Sequence, residues 1–116
     1  MSIPHLDSAV LVTLQAVMEG EYPLLLDTFL ADSEERLRLL RQAFQAGEGE
    51  TLRRAAHSFK GSCSNLGAAA LADLCCQLET LAREQRLGEA SAMIERIERE
   101  FAIVGILFRA ERQRYG

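Results

Sequence analysis

Tryptophan is absent from this 116-residue chain, and lysine is reduced to one residue, Lys60, against twelve arginines. Proline occurs only at Pro4 and Pro23, so nothing beyond the first quarter obliges a helix to break. β-Branched residues are sparse, which removes the usual material of strands. The cysteines are three, Cys63, Cys75 and Cys76, an odd number with two adjacent, and Met1–Pro4 has no leader-like pattern. A secreted disulfide framework is therefore not expected. No apolar run approaches the roughly 20 residues that span a bilayer. A net charge of −4 provides no general attraction to nucleic acid or to an anionic membrane. These absences predict a cytoplasmic chain, a monomer with neither nucleic acid nor membrane among its partners.

What remains is dominated by alanine, leucine, glutamate and arginine, all strong helix formers. With 48% hydrophobic residues the chain can fill one continuous core, so one domain is expected over residues 1–116. Asp7 is a natural N-cap for a short first helix with apolar positions Val10, Leu11, Leu14, Val17 and Met18, ending at Gly20. A second helix starts near Tyr22, with Pro23 in its first turn and a stripe of Leu26, Phe29, Leu30, Leu37, Leu40 and Phe44. Gly47-Glu48-Gly49 closes it. The third begins near Thr51 and stops at Asn65-Leu66-Gly67, with Gly67 as a left-handed C′ residue. The fourth, from about Ala69, packs Leu71, Leu74, Cys75, Leu78 and Leu81. Leu87-Gly88 turns the chain into a fifth, from about Ala90 towards Arg114, which buries Met93, Ile97, Phe101, Val104 and Phe108. Linkers this short force neighbours antiparallel. The expected fold is all-α, an antiparallel up-down-up-down four-helix bundle with a short N-terminal capping helix.

The third helix concentrates the chemistry. Its apolar stripe is Leu52, Ala56, Phe59, Cys63 and Leu66, and at about 100° per residue His57 falls almost opposite it. Arg53, Arg54, Gly61 and Ser64 share the outward side, and Lys60 flanks it. Neutral imidazole has a nucleophilic ring nitrogen at physiological pH. A glycine inside a helix costs about 1 kcal/mol relative to alanine without structural return. By contrast, His5 stands in the N-terminal approach without such company. Cys63 and Cys75 lie on buried stripes, and Cys75 and Cys76 cannot both face one ion from a regular helix. Buried free thiols are expected, not a zinc site. The last helix could pair with a second copy through a coiled coil, but its stripe is already used by the bundle.

The run His57-Ser58-Phe59-Lys60-Gly61-Ser62, then Leu66-Gly67-Ala68 and Leu71-Ala72-Asp73-Leu74-Cys75-Cys76-Gln77-Leu78-Glu79, resembles the histidine-containing phosphotransfer (HPt) domains of multistep two-component phosphorelays. The resemblance implies a domain that takes a phosphoryl group from a receiver-domain aspartate onto His57 and passes it to the aspartate of another response regulator. It implies electrostatic help to the phosphoryl oxygens from Lys60 and steric access at Gly61. It also implies a polar residue on the next helix that orients the imidazole. By family spacing that residue is Glu79, with Gln77 as the fallback. Arg53, Arg54, Ser58 and Ser64 would belong to the docking surface for receiver domains of hybrid sensor kinases and response regulators.

No Walker loop, GxGxxG or other nucleotide fingerprint is present, so autophosphorylation from ATP is not expected. No cofactor is expected on this chain, and Mg²⁺ would come with the partner receiver. A helical adaptor that binds receiver or kinase domains without accepting phosphate is the alternative. A hydrolytic enzyme is more distant, because no second catalytic group accompanies the histidine.

Overall fold

The computed structural model describes residues 2–115, and these form five α-helices joined by short turns. They are α1 (Ser8–Met18), α2 (Tyr22–Gln45), α3 (Gly49–Asn65), α4 (Ala69–Arg83) and α5 (Leu87–Gln113). A 3-10 turn, Glu19–Glu21, links the first two, and no strand occurs among the described residues. Helices α2 to α5 each pack on their chain neighbours, and α5 returns against α2 to close the four-helix bundle. Ion pairs record the antiparallel register of α2 and α5: Asp27 with Arg112 at 3.1 Å, and Arg41 with Glu98 at 2.7 Å. These pairs are partly exposed, so they mark the register more than they stabilise it.

The apolar stripes expected from the sequence meet in one core. Leu26, Phe29 and Leu40 of α2 join Leu52, Ala56, Phe59 and Cys63 of α3, Leu71, Cys75 and Leu78 of α4, and Ile94, Ile97, Val104 and Phe108 of α5. Phe29 and Phe108 meet edge to face, with ring centroids 5.3 Å apart, a favoured arrangement for two quadrupoles.

Helix lengths decide where α1 goes. At 1.5 Å per residue, α2 and α5 reach about 36 and 40 Å, and α3 and α4 only about 25 and 22 Å. The long pair therefore projects beyond the α3–α4 turn, and the N-terminal segment crosses the step. Asp7 N–H donates to the Gly67 carbonyl at 2.7 Å, and Ala70 N–H donates to the Pro4 carbonyl at 3.0 Å. Asp7 also caps α1, its carboxylate accepting from Ala9 N–H at 3.0 Å. Gly67 has φ 72°, and a Cβ there would sit 3.1 Å from Val10 Cβ and 3.2 Å from the Asp7 carbonyl. The turn thus needs glycine for its backbone and for the segment packed on it.

Several local expectations are corrected. Helix α3 starts at Gly49 and α5 at Leu87, so Gly49, Leu87 and Gly88 are helical. At Gly49 the end of α4 lies close, a Cβ there falling 4.0 Å from the Ala82 carbonyl, whereas Gly88 stands exposed in open space. Val17 is exposed, because α1 lies on the bundle's end and buries only Leu11 fully. His5 has no lysine or glycine of the kind beside His57, but its Nδ1 does find a partner the sequence did not indicate, lying 2.6 Å from Oε2 of the nearly buried Glu100. Contrary to the expectation of no such stretch, one 18-residue window within Ser8–Gln45 reaches a mean hydropathy of 1.3, enough by length and composition for a membrane span. Glu19 and Glu21 interrupt the apolar residues there, and the 3-10 turn at those positions divides the stretch between two helices.

Candidate functional site

His57 sits mid-way along α3 on the face opposite Phe59 and Cys63, and its side chain is 63% exposed. Across from it, Glu79 of α4 is buried, with a side chain only 5% exposed. A carboxylate there would be costly without partners. It has three. Glu79 Oε2 lies 2.8 Å from His57 Nδ1 and accepts from Arg83 at 3.2 Å, and Oε1 accepts from the Lys60 ammonium at 2.7 Å.

Spacing produces this cluster. Lys60 follows His57 by three residues and Arg83 follows Glu79 by four, so each pair shares a helix face. The antiparallel packing of α3 on α4 turns those two faces together. Hydrogen bonding from Lys60 holds the Glu79 carboxyl below its usual range, with a smaller effect from His57, against the opposing influence of burial. The same bond raises the Lys60 ammonium above its ordinary value.

An ionised carboxylate can only accept hydrogen bonds. Paired with Glu79, neutral His57 therefore carries its proton on Nδ1, which leaves the Nε2 lone pair as the reactive one. Gly61, one turn along, is exposed, and nothing lies within 4 Å of where its Cβ would be. Ser64 continues this uncluttered face and is exposed. The surroundings of Nε2 are open, with a cation on either helix.

The remaining sequence candidates divide. Gln77 is not brought to the imidazole; it is exposed and donates to Asp73 at 2.8 Å along its own helix. Arg53 and Arg54 both bind Glu50, at 2.7 and 3.2 Å, and the pairing lowers the Glu50 carboxyl to about 2. Arg53 is half-buried and Arg54 exposed. Ser58 accepts from Arg36 of α2 at 2.6 Å, and Arg36 is itself fixed by Asp32 at 2.6 Å. Cys63 and Cys75 are buried free thiols and Cys76 is exposed. A hydrogen bond shared with Cys75, together with burial, pushes the Cys63 thiol up, which leaves it unreactive.

Arg83 and Arg36 were missed from the sequence. Arg83 was legible, because it stands four residues after Glu79 on a helix already expected. Arg36 was not, since its reach to Ser58 depends on how α2 lies against α3.

The fold and the site together define a four-helix bundle that displays a histidine paired with a buried acid. The Hpt domain family model matches residues 24–105. The chain is 62% identical to histidine-containing phosphotransfer protein B (HptB) from Pseudomonas aeruginosa PAO1. The two structures superpose with a TM-score of 0.96, covering 99% of this chain and all of that one. A putative histidine-containing phosphotransfer protein from rice shares the fold at 15% identity, with a TM-score of 0.87 over 96% of this chain and 81% of that one. No curated protein matches the sequence. The chain belongs to the Hpt family, and its role is histidine phosphotransfer in two-component phosphorelays.

Proposed function

We propose that His57 is the phosphoacceptor. Its Nε2 attacks the phosphorus of a receiver's aspartyl phosphate, the aspartate carboxylate leaves, and the group later passes to the aspartate of another response regulator. The observation that supports this most is the 2.8 Å pairing of His57 Nδ1 with Glu79. It sets the tautomer in which the exposed nitrogen is the nucleophile, as the acid of a catalytic triad sets its histidine. Glu79 is then the orienting residue and Gln77 is not.

Lys60 compensates charge on the phosphoryl oxygens as the transfer proceeds in line. In the resting site its ammonium is held by Glu79, so it serves the phosphoryl group from an anchored position. Gly61 lets the receiver approach the helix backbone. Arg53, Arg54, Ser58 and Ser64 belong to the docking surface, which extends to the α2–α3 groove lined by Arg36, Leu39 and Ala55. Partners are receiver domains of hybrid sensor kinases and response regulators, met by a cytoplasmic monomer through a transient interface. Mg²⁺ comes with the receiver, whose acidic pocket would hold it.

The test is incubation of the purified protein with a phosphorylated, Mg²⁺-charged receiver, beside His57→Gln. Acid-labile, base-stable label on wild type alone is expected. Equal labelling of the variant would move the phosphoacceptor off His57, and tight receiver binding with no label on either would replace this reading with the non-phosphorylated adaptor.

A further inference from the structure

We infer that Glu79 retains the Nδ1 proton on the ring after phosphorylation, and thereby sets how far towards alkaline pH the phosphoryl group can be passed on. The inference rests on His57 being the phosphoacceptor and concerns what happens to the group once it is there.

The chemistry turns on the leaving group. When a receiver aspartate oxygen attacks phosphorus, the P–Nε2 bond breaks and its electron pair stays on Nε2. If Nδ1 bears a proton, the ring departs as neutral imidazole and no proton is exchanged. If Nδ1 has lost its proton, the ring must depart as imidazolate, a far poorer leaving group. The loaded protein is thus competent only while Nδ1–H survives. Phosphorylation at Nε2 with Nδ1 protonated makes the ring cationic, and an anion in hydrogen-bond contact favours that state.

Glu79 supplies the anion 2.8 Å from Nδ1. A glutamine in that place would offer an amide oxygen without charge. The other charged groups act in the opposite sense. Lys60 and Arg53 on α3 and Arg83 on α4 are cations that disfavour a charged ring. Lys60 and Arg83 also draw on the same carboxylate, Arg83 through the very oxygen that meets Nδ1. Arg36 of α2 is engaged by Asp32 and Ser58. The pairing gives removal of the acid and removal of a cation opposite signs, which a purely structural role for Glu79 would not do.

The chain has only two histidines, His5 and His57, which makes a direct measurement practicable. Protein with ¹⁵N-labelled histidine is loaded with phosphoramidate, a small-molecule phosphoryl donor. Nδ1 of phosphorylated His57 is then titrated by NMR in wild type, Glu79→Gln and Arg83→Gln, with His5 as internal reference. Glutamine is nearly isosteric with glutamate, and Arg83 is mostly exposed, so both variants are expected to fold. The expected result is a midpoint lowered by about one pH unit or more in Glu79→Gln and raised in Arg83→Gln, with His5 unmoved. The alkaline limb of single-turnover transfer to a receiver should shift with it. Identical midpoints in all three proteins, or a rise in Glu79→Gln, would overturn this inference alone. A wild-type protein that takes no phosphoryl group on His57 would instead overturn the phosphoacceptor assignment, and this inference with it.

Discussion

His57 and Glu79 are joined at 2.8 Å across the α3–α4 interface, one side chain mostly in solvent and the other buried. The pair divides the labour of the site. The exposed partner is open to solvent, and the buried one is held by three donors, with Nδ1 of the imidazole among them. Three donors on one carboxylate also mean that any change at Lys60 or Arg83 is felt at the imidazole.

Lys60→Ala is expected to slow phosphotransfer about tenfold to a hundredfold, equivalent to ~1.4–2.7 kcal/mol of barrier. It should not abolish it. Arg83 remains on Glu79, and the contact between Glu79 and His57 Nδ1 keeps both its partners. Single-turnover kinetics with a phosphorylated receiver measure this, and a rate as low as that of His57→Gln would assign Lys60 an indispensable role.

Gly61→Ala should separate stability from function. The added methyl meets nothing within 4 Å, and the helix gains about 1 kcal/mol of propensity. The denaturation midpoint should therefore rise while transfer slows, because the receiver meets a side chain one turn from His57. A bulkier residue there should widen the split. Unchanged transfer with a bulky substituent would remove Gly61 from the docking surface.

Gly67→Ala should cost about 1–3 kcal/mol of stability. The substitution places a side chain at φ 72° and crowds Val10 and the Asp7 carbonyl. The loss should be concentrated at the α1 end, where hydrogen exchange at Asp7 and Ala70 would report it first. Uniform loosening of α3 and α4 instead would show that the N-terminal segment is not an independent cap.

Acid should weaken the bundle through Glu79. Its folded carboxyl lies below the usual range because Lys60 and His57 favour its charged form. That stabilisation is fully present above the unfolded carboxyl value of about 4.3 and is lost as pH falls through the lower folded value. Lys60, whose ammonium is held above its ordinary value by Glu79, stays charged throughout this window, so the sign does not reverse. Denaturant midpoints measured down the acid limb should fall less steeply in Glu79→Gln than in wild type.

Much of the site is legible in the order of residues. The outward position of His57, the company of Lys60 and Gly61, and the helix stop at Gly67 follow from periodicity and from the special conformations open to glycine. The spacing to Glu79 comes from family resemblance, and two residues, Glu79 and Gln77, fit the role on that ground. Only the packing of α3 on α4 separates them, with Glu79 under the imidazole and Gln77 on the exposed side beside Asp73. Arg36 and His5 each find a partner on a distant helix, 22 and 95 residues away, and no local pattern announces such pairs.

By itself, then, the amino-acid sequence determined five helices, their buried stripes and the face on which His57 is displayed. These depend on interactions within a few residues, which recur every helical turn. Tertiary structure decided how deeply Glu79 is buried, that three donors converge on it, and that α1 settles on the step left by two short helices. Those features depend on differences in helix length and on the rotation of one helix against another. Such quantities are properties of the whole bundle and are written in no single segment of it.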